Sequence, residues 1–249
     1  MQKISTTNAS GEKLAGIKEA SEMHSGKCAV LVHGFAYYKE EAGLFTGLAP
    51  LLARLGYHTY YFDFSGCGES EGDFVDATPS KLMDDLKKMI EFAQDDSEAT
   101  ETLIVTQSFA GPLTIALNPK ADMMVMMGAF AEPYKLLSSL FEDKFDRNGI
   151  SVMMRSNGSV TRVDKRFWDE LERLDVRELV KKIDCPIHYI HGGEDKIVPV
   201  EQMEILFENS RNATKSVIPG NDHGMMPDRD ALYQRIVHLI NKSSSGSSM

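Results

Sequence analysis

The chain predicts an α/β fold, an open and mostly parallel sheet of about eight strands with helices on both faces. Three observations carry this. Short apolar runs recur at 28–32, 57–62, 103–105, 123–127, 187–190 and 216–218, as in strands covered on both sides. Segments of helical spacing alternate with them, for example Leu44, Leu48, Leu51, Leu52 and Leu55. Nearly every run ends in a polar or glycine-rich group, and in such sheets these ends gather at the edge where ligands bind.

The elements follow in order. Residues 2–7 and 13–20 read as two short strands joined by a turn at Ser10-Gly11. The continuous apolar run from Cys28 to Val32 leads directly into His33-Gly34-Phe35. A helix over 43–55 is closed by Gly56, a residue suited to the left-handed C-cap. The strand from Tyr57 to Phe62 ends in the loop Asp63-Phe64-Ser65-Gly66-Cys67-Gly68-Glu69-Ser70. Pro79 opens a helix to about Ala93, with Leu82, Met83, Leu86, Met89 and Ile90 on one face. Leu103-Ile104-Val105 is a buried strand, and a run capable of helix begins at Ser108. Met123 to Met127 is another strand, its methionines serving as core filler, and it ends at Gly128.

From 132 to 182 the strand-like runs stop and charge rises, while Leu136, Leu137, Leu140, Phe141 and Phe145 form an amphipathic stretch. Strand rhythm returns at Ile187 to Ile190 and Ser216 to Ile218, with helices at about 200–209 and 229–241. The tail 242–249 has flexible-linker composition. The expected organisation is a core of 1–131 and 183–241, an insertion at 132–182 and a flexible tail at 242–249.

Bulk composition narrows the function. With 249 residues, 42% of them hydrophobic, the chain can bury a core without metal or disulfide staples. A net charge of −10 without a basic cluster argues against nucleic acid or an anionic membrane as partner. Cys28, Cys67 and Cys185 are widely spaced and read as buried free thiols. The N-terminus has no apolar signal core and no stretch reaches transmembrane length, so the expectation is a soluble cytoplasmic protein without membrane insertion. No His/Asp/Glu/Cys cluster has ligand spacing, so neither metal nor cofactor is expected. Oligomeric state is left open.

The chemistry concentrates at strand ends. Ser108 stands at a strand-to-helix corner, where a serine serves either as helix N-cap or as an exposed nucleophile on a strained turn. The full elbow signature, Gly-x-Ser-x-Gly, is replaced here by Thr106 and Ala110, with Gly111 one residue later. A serine hydroxyl needs a base, and the base works better when a carboxylate orients it. His223, in Gly220-Asn221-Asp222-His223-Gly224, follows the last strand and is the candidate base, unless it is an ordinary solvated loop histidine. His24 lies in a polar loop, His58 and His188 inside strands and His238 in the last helix, while His191 precedes two glycines. Asp195 follows the penultimate strand and is the candidate carboxylate, with Glu194 its rival and a turn or helix cap its structural alternative.

Ser108, Asp195, His223 is the chain order of nucleophile, acid and base in the α/β-hydrolases. The sequence resembles that family over nearly its whole length apart from 132–182. The loop from Asp63 to Ser70 resembles the family's Asp-x-x-Gly-x-Gly-x-Ser loop, and His191 to Pro199 resembles its His-Gly-x-x-Asp-x-x-Val-Pro segment. This resemblance assigns the acid to Asp195. His33-Gly34-Phe35 resembles the family's oxyanion loop, which implies that the backbone N–H groups of Phe35 and Phe109 receive a tetrahedral oxyanion, one donor being worth roughly 3 kcal/mol of barrier. Side chains at 106 and 110 crowd a tight turn, so the elbow backbone is expected to differ slightly from the family's.

The small size, the Phe after His-Gly and the loop at 63–70 are most similar to small carboxylesterases of the feruloyl/cinnamoyl esterase and monoacylglycerol lipase groups. The resemblance places a cap at 132–182. It implies that His33, Gly34, Tyr134, Leu137 and Trp168 meet the substrate, although the aromatic and leucine residues of the cap would serve equally as packing. The implied reaction is cofactor-free hydrolysis of a small or medium carboxylic ester through an acyl-enzyme. Thioesterase, amidase, C–C bond hydrolase and a non-catalytic ligand-binding role share the same frame.

Overall fold

The computed structural model describes residues 1–23, 25–155 and 158–246. In chain order its elements are β1 (Gln2–Thr7), β2 (Lys13–Glu19), β3 (Lys27–Val32), α1 (Leu44–Arg54), β4 (Tyr57–Phe62), α2 (Pro79–Ser97), β5 (Glu101–Gln107) and α3 (Ala110–Leu117). There follow β6 (Met123–Met127), α4 (Pro133–Ser139), β7 (Ile150–Met154), β8 (Val160–Asp164), α5 (Lys165–Leu171), α6 (Val176–Val180), β9 (Ile187–Gly192), α7 (Val200–Asn209), β10 (Ala213–Ile218) and α8 (Arg229–Gly246).

Strands apolar on both sides must be covered on both sides, and the sheet shows how. Eight strands hydrogen-bond in the order β1-β2-β4-β3-β5-β6-β9-β10. All pairs from β4 to β10 are parallel, and only β1-β2 and β2-β4 are antiparallel. Alternate residues point to opposite faces. Val30, Val32, Ile104, Met124 and Met126 pack under α2, α3 and α7, while Ala29, Leu31, Leu103, Val105 and Val125 pack under α1 and α8. The methionines of β6 are buried core residues.

The region 132–182 departs from expectation, because it contains a hairpin. β7 and β8 pair antiparallel, with Val152 opposite Arg162. Their residues alternate between buried and exposed, which gives a weaker apolar signal than the fully covered strands of the main sheet. Trp168 of α5 is fully buried and donates from Nε1 to Ser151 Oγ at 3.0 Å, tying the hairpin to the helix. The last helix also runs further than expected, continuing from 241 to Gly246, so the linker composition from 242 onward does not end it. Ser243 continues the ladder by donating from its hydroxyl to Leu239 O. Residues 247–249 lie outside the described residues.

Behind β3 and β4 a buried ion pair fixes the connection that follows His33-Gly34-Phe35. Asp63 is fully buried and accepts from the Lys39 N–H (2.6 Å), Lys39 Nζ (2.8 Å) and the Glu69 N–H (2.9 Å). Lys39 Nζ also reaches Glu69 Oε2 at 2.7 Å. Gly68 (φ 52°) is required here, since a Cβ would stand 2.3 Å from the Asp63 carboxyl. Removing one partner leaves a buried charge uncompensated. Lys39→Met is therefore expected to lower unfolding free energy by about 3–5 kcal/mol, read as a lowered urea midpoint; an unchanged midpoint contradicts this role.

Candidate active site

The site is built at the carboxyl ends of β3, β5, β6, β9 and β10. At the end of β5, Ser108 adopts φ 55°, the left-handed region that L-residues other than Asn and Asp seldom visit. The turn is held by the Ser108 N–H donating to Met127 O (2.8 Å) and by Gly111 N–H donating to Ser108 O (2.9 Å). Gly111 is the tight position: a Cβ there would lie 2.6 Å from Ala129 Cβ. The buried Thr106 and Ala110 are accommodated without a glycine at either place.

Asp195 lies beyond β9 with its carboxylate almost fully buried. Its Oδ1 accepts from the N–H groups of Ile197 and Val198, both at 2.9 Å, and its Oδ2 stands 2.7 Å from His223 Nδ1. Burial pushes this carboxyl up, but the His223 hydrogen bond and charge and the two backbone donors outweigh it and hold it below the usual Asp value. His223 Nε2 in turn lies 2.9 Å from Ser108 Oγ. The three residues named from the sequence form one hydrogen-bonded chain, and Glu194, exposed at the rim, takes no part in it. Such a chain lets a histidine take the serine proton while the carboxylate steadies the resulting imidazolium.

Two residues outside the sequence expectation hold the histidine. Gln107 Nε2 donates to His223 O at 2.6 Å, linking the residue before the serine to the backbone of the base. Gly128 (φ 57°) faces the imidazole, and a Cβ there would stand 3.0 Å from His223 Cε1. This was the one strand end without a polar group to offer, and what it supplies is room. The readable signal was a glycine directly after an uninterrupted apolar strand.

A cavity of about 950 Å³ opens over Ser108 and His223. One wall is apolar, with Phe130, Leu136, Leu137, Leu140 and Met153, and the other carries Tyr37, Glu41 and Arg155. Gly34, Phe35 and Leu137 are among the residues that line it. Among the described residues, neither the Phe35 nor the Phe109 N–H meets a protein acceptor, which leaves both able to bind an oxyanion. Glu41 accepts from the Gly34 N–H at 2.7 Å, and burial pushes its carboxyl up to about 7.

His33, Tyr134 and Trp168 do not line this cavity. Trp168 is enclosed by Tyr134, Phe141, Phe145 and Phe167 in edge-to-face contacts. Tyr134 faces a separate surface pocket with Leu171 and Arg173. His33 is fully buried and both ring nitrogens are engaged: Nδ1–H donates to Gly34 O (2.8 Å) and Nε2 accepts from the Phe64 N–H (3.0 Å). It braces the loop and does not meet a ligand there. Spacing alone did not separate an aromatic that lines the cavity from one that packs behind it.

The family model described as "Serine aminopeptidase, S33" matches residues 24–142. Est1E from Butyrivibrio proteoclasticus, solved with ferulic acid bound, superposes with a TM-score of 0.84 at 19% identity, over 98% of this chain and all of that one. The chain has the α/β-hydrolase fold. Mouse alpha/beta hydrolase domain-containing protein 10 superposes on this chain with a TM-score of 0.75 at 20% identity, over 97% of this chain and 99% of that one. In sequence, the human "Palmitoyl-protein thioesterase ABHD10, mitochondrial" is 25% identical over 77% of this chain and 66% of its own length. An uncharacterized protein, YfhR of Salmonella typhimurium, is 24% identical over 77% of this chain and 62% of its own length. The matched region thus spans just under two thirds of each of these relatives. Among the described residues, no helix is long and apolar enough to cross a membrane.

The buried His33 gives the fold a pH dependence. Burial holds its imidazole down at about 4, below the ordinary value near 6.5. Between these values the unfolded chain takes a proton that the native state refuses, so stability present above about 6.5 is lost as pH falls toward 4. Between pH 7 and pH 5 the wild type is expected to lose about 2 kcal/mol more than His33→Asn, measured by urea unfolding. Equal losses in the two proteins contradict this.

Proposed function

We propose that this α/β-hydrolase is a serine hydrolase that cleaves carboxylic esters of small to medium acyl or aryl substrates. Ser108 attacks the carbonyl, His223 takes the serine proton and returns it to the leaving alcohol, and Asp195 orients the imidazole. The N–H groups of Phe35 and Phe109 receive the oxyanion, each worth roughly 3 kcal/mol of barrier. Water then enters by the same base and releases the acid. The observation that carries this reading is the continuous chain Ser108 Oγ, His223, Asp195 Oδ2, with separations of 2.9 and 2.7 Å, at the floor of a 950 Å³ cavity.

The ferulic acid bound in Est1E supports an aryl or acyl ligand of that size. A thioester substrate is the second reading, favoured by the likeness to the human palmitoyl-protein thioesterase and by the leucine-lined wall of the cavity. Oxygen and thio esters of one acyl chain, compared by kcat/KM, separate the two.

Ser108→Ala is expected to lower kcat on p-nitrophenyl esters by roughly 10⁴-fold or more, with the urea midpoint little changed; comparable turnover in the variant rules the assignment out. Gly128→Ala, which pushes a methyl group at the imidazole, is expected to lower kcat by about tenfold or more, as a small misplacement of a reacting group costs. Unchanged kcat there removes the steric role given to Gly128.

A further inference from the structure

The polar wall of the cavity holds a cation with no carboxylate in contact with it: Glu41 lies within electrostatic reach of Arg155, but its carboxyl is hydrogen-bonded to the Gly34 N–H. Arg155 sits in the turn between β7 and β8, and its guanidinium reaches across to the loop after β3. Nη2 donates to Phe35 O at 2.7 Å, Nε donates to Thr161 Oγ1 at 3.0 Å, and the group lies over the Phe35 ring, 5.9 Å from its centroid. Of the other arginines of the same region, Arg147 pairs with Asp169 and Glu172 and Arg166 with Asp164 and Asp76, while the exposed Arg162 and Arg173 have no ion pair among the described residues. Arg155 is more buried than any of these, yet no carboxylate of a described residue lies within 4.0 Å of it. Among the described residues, its two hydrogen-bond partners are neutral oxygens. Desolvating a guanidinium without an anion is costly, and burial pulls its proton affinity down.

Its position relates it to the reacting centre. Phe35 supplies the carbonyl that Arg155 holds and also the N–H assigned to the oxyanion. The N and O of one residue are at most about 3.7 Å apart, which places the guanidinium nitrogen within roughly 6–7 Å of that N–H. A group bound by Arg155 is therefore only a few bonds from the scissile carbonyl. Glu41, on the same wall, is committed to the Gly34 N–H, and an anion arriving nearby favours its neutral form.

We propose that the substrate is an ester bearing a carboxylate a few bonds from the scissile carbonyl, and that Arg155 receives this carboxylate while holding Phe35. The inference rests on Ser108 as nucleophile. It leaves the acyl and alcohol sides to experiment, because the guanidinium lies within reach of both.

The test compares matched ester pairs with wild-type protein: p-nitrophenyl hemiglutarate against p-nitrophenyl valerate for the acyl side, and 3-carboxyphenyl butyrate against 3-methylphenyl butyrate for the alcohol side. In one pair kcat/KM is expected to favour the anionic ester by at least tenfold, and the preference is expected to shrink in 1 M salt. Arg155→Met should slow both members of that pair, since Phe35 loses its clasp, but slow the anionic ester at least tenfold more. Arg155→Lys, which keeps the charge, should retain part of the preference. No preference in either pair, or an equal loss on both members in Arg155→Met, overturns the proposal. If neutral esters are still hydrolysed in a Ser108-dependent way, only the anion site fails; if no ester of either kind is hydrolysed, the nucleophile assignment fails with it.

Discussion

The left-handed turn at Ser108 is the constraint on which the site depends. A serine at φ 55° is strained by about 1–2 kcal/mol, and the surrounding structure leaves it no other conformation. Its N–H is committed to β6, the fully buried β5 precedes it, and Gly111 presses α3 against Ala129 behind it. The hydroxyl is thereby turned to the sheet edge where the other strand ends arrive. The same turn leaves the Phe109 N–H without a protein acceptor among the described residues.

Other groups are positioned by reference to that turn. Gln107 ties the elbow strand to the backbone of His223, Gly128 leaves room for the ring, and Gly192 lets β9 pass close to Asn221 and Asp222. Asn221, fully buried, bridges Met225 O and Asp228 O and so closes the histidine loop on itself. On the opposite side, Lys39 with Asp63 fixes the chain beyond Phe35, and His33 braces Gly34 against Phe64. The hairpin β7-β8 adds Arg155 from above. Phe35 is thus held both by the loop after β3 and by Arg155 of the 132–182 segment.

Much of this was legible in the chain itself. The parallel strands announced themselves because burial on both faces demands uninterrupted apolar runs, and the residues at their ends named Ser108, Asp195 and His223. Asp195 was preferred to Glu194 by motif, and the geometry agrees, since only its carboxylate meets His223. The 132–182 region was harder. The strands β7 and β8 are half-exposed and β8 carries charges, so their period of two was lost against a polar background. Trp168 and Tyr134 looked like pocket residues because an aromatic residue reads alike whether it lines a cavity or packs behind one. Arg155 gave no signal at all, since an unpaired cation is recognised only when its surroundings are known.

Covalent labelling reads directly whether His223 activates Ser108. The protein would be treated with a fluorophosphonate, and the modified residue located by mass spectrometry of its peptides. A single adduct on Ser108 is expected, formed at least about 10²-fold more slowly in His223→Ala. An adduct on another residue, or labelling of Ser108 at the same rate in His223→Ala, would contradict it.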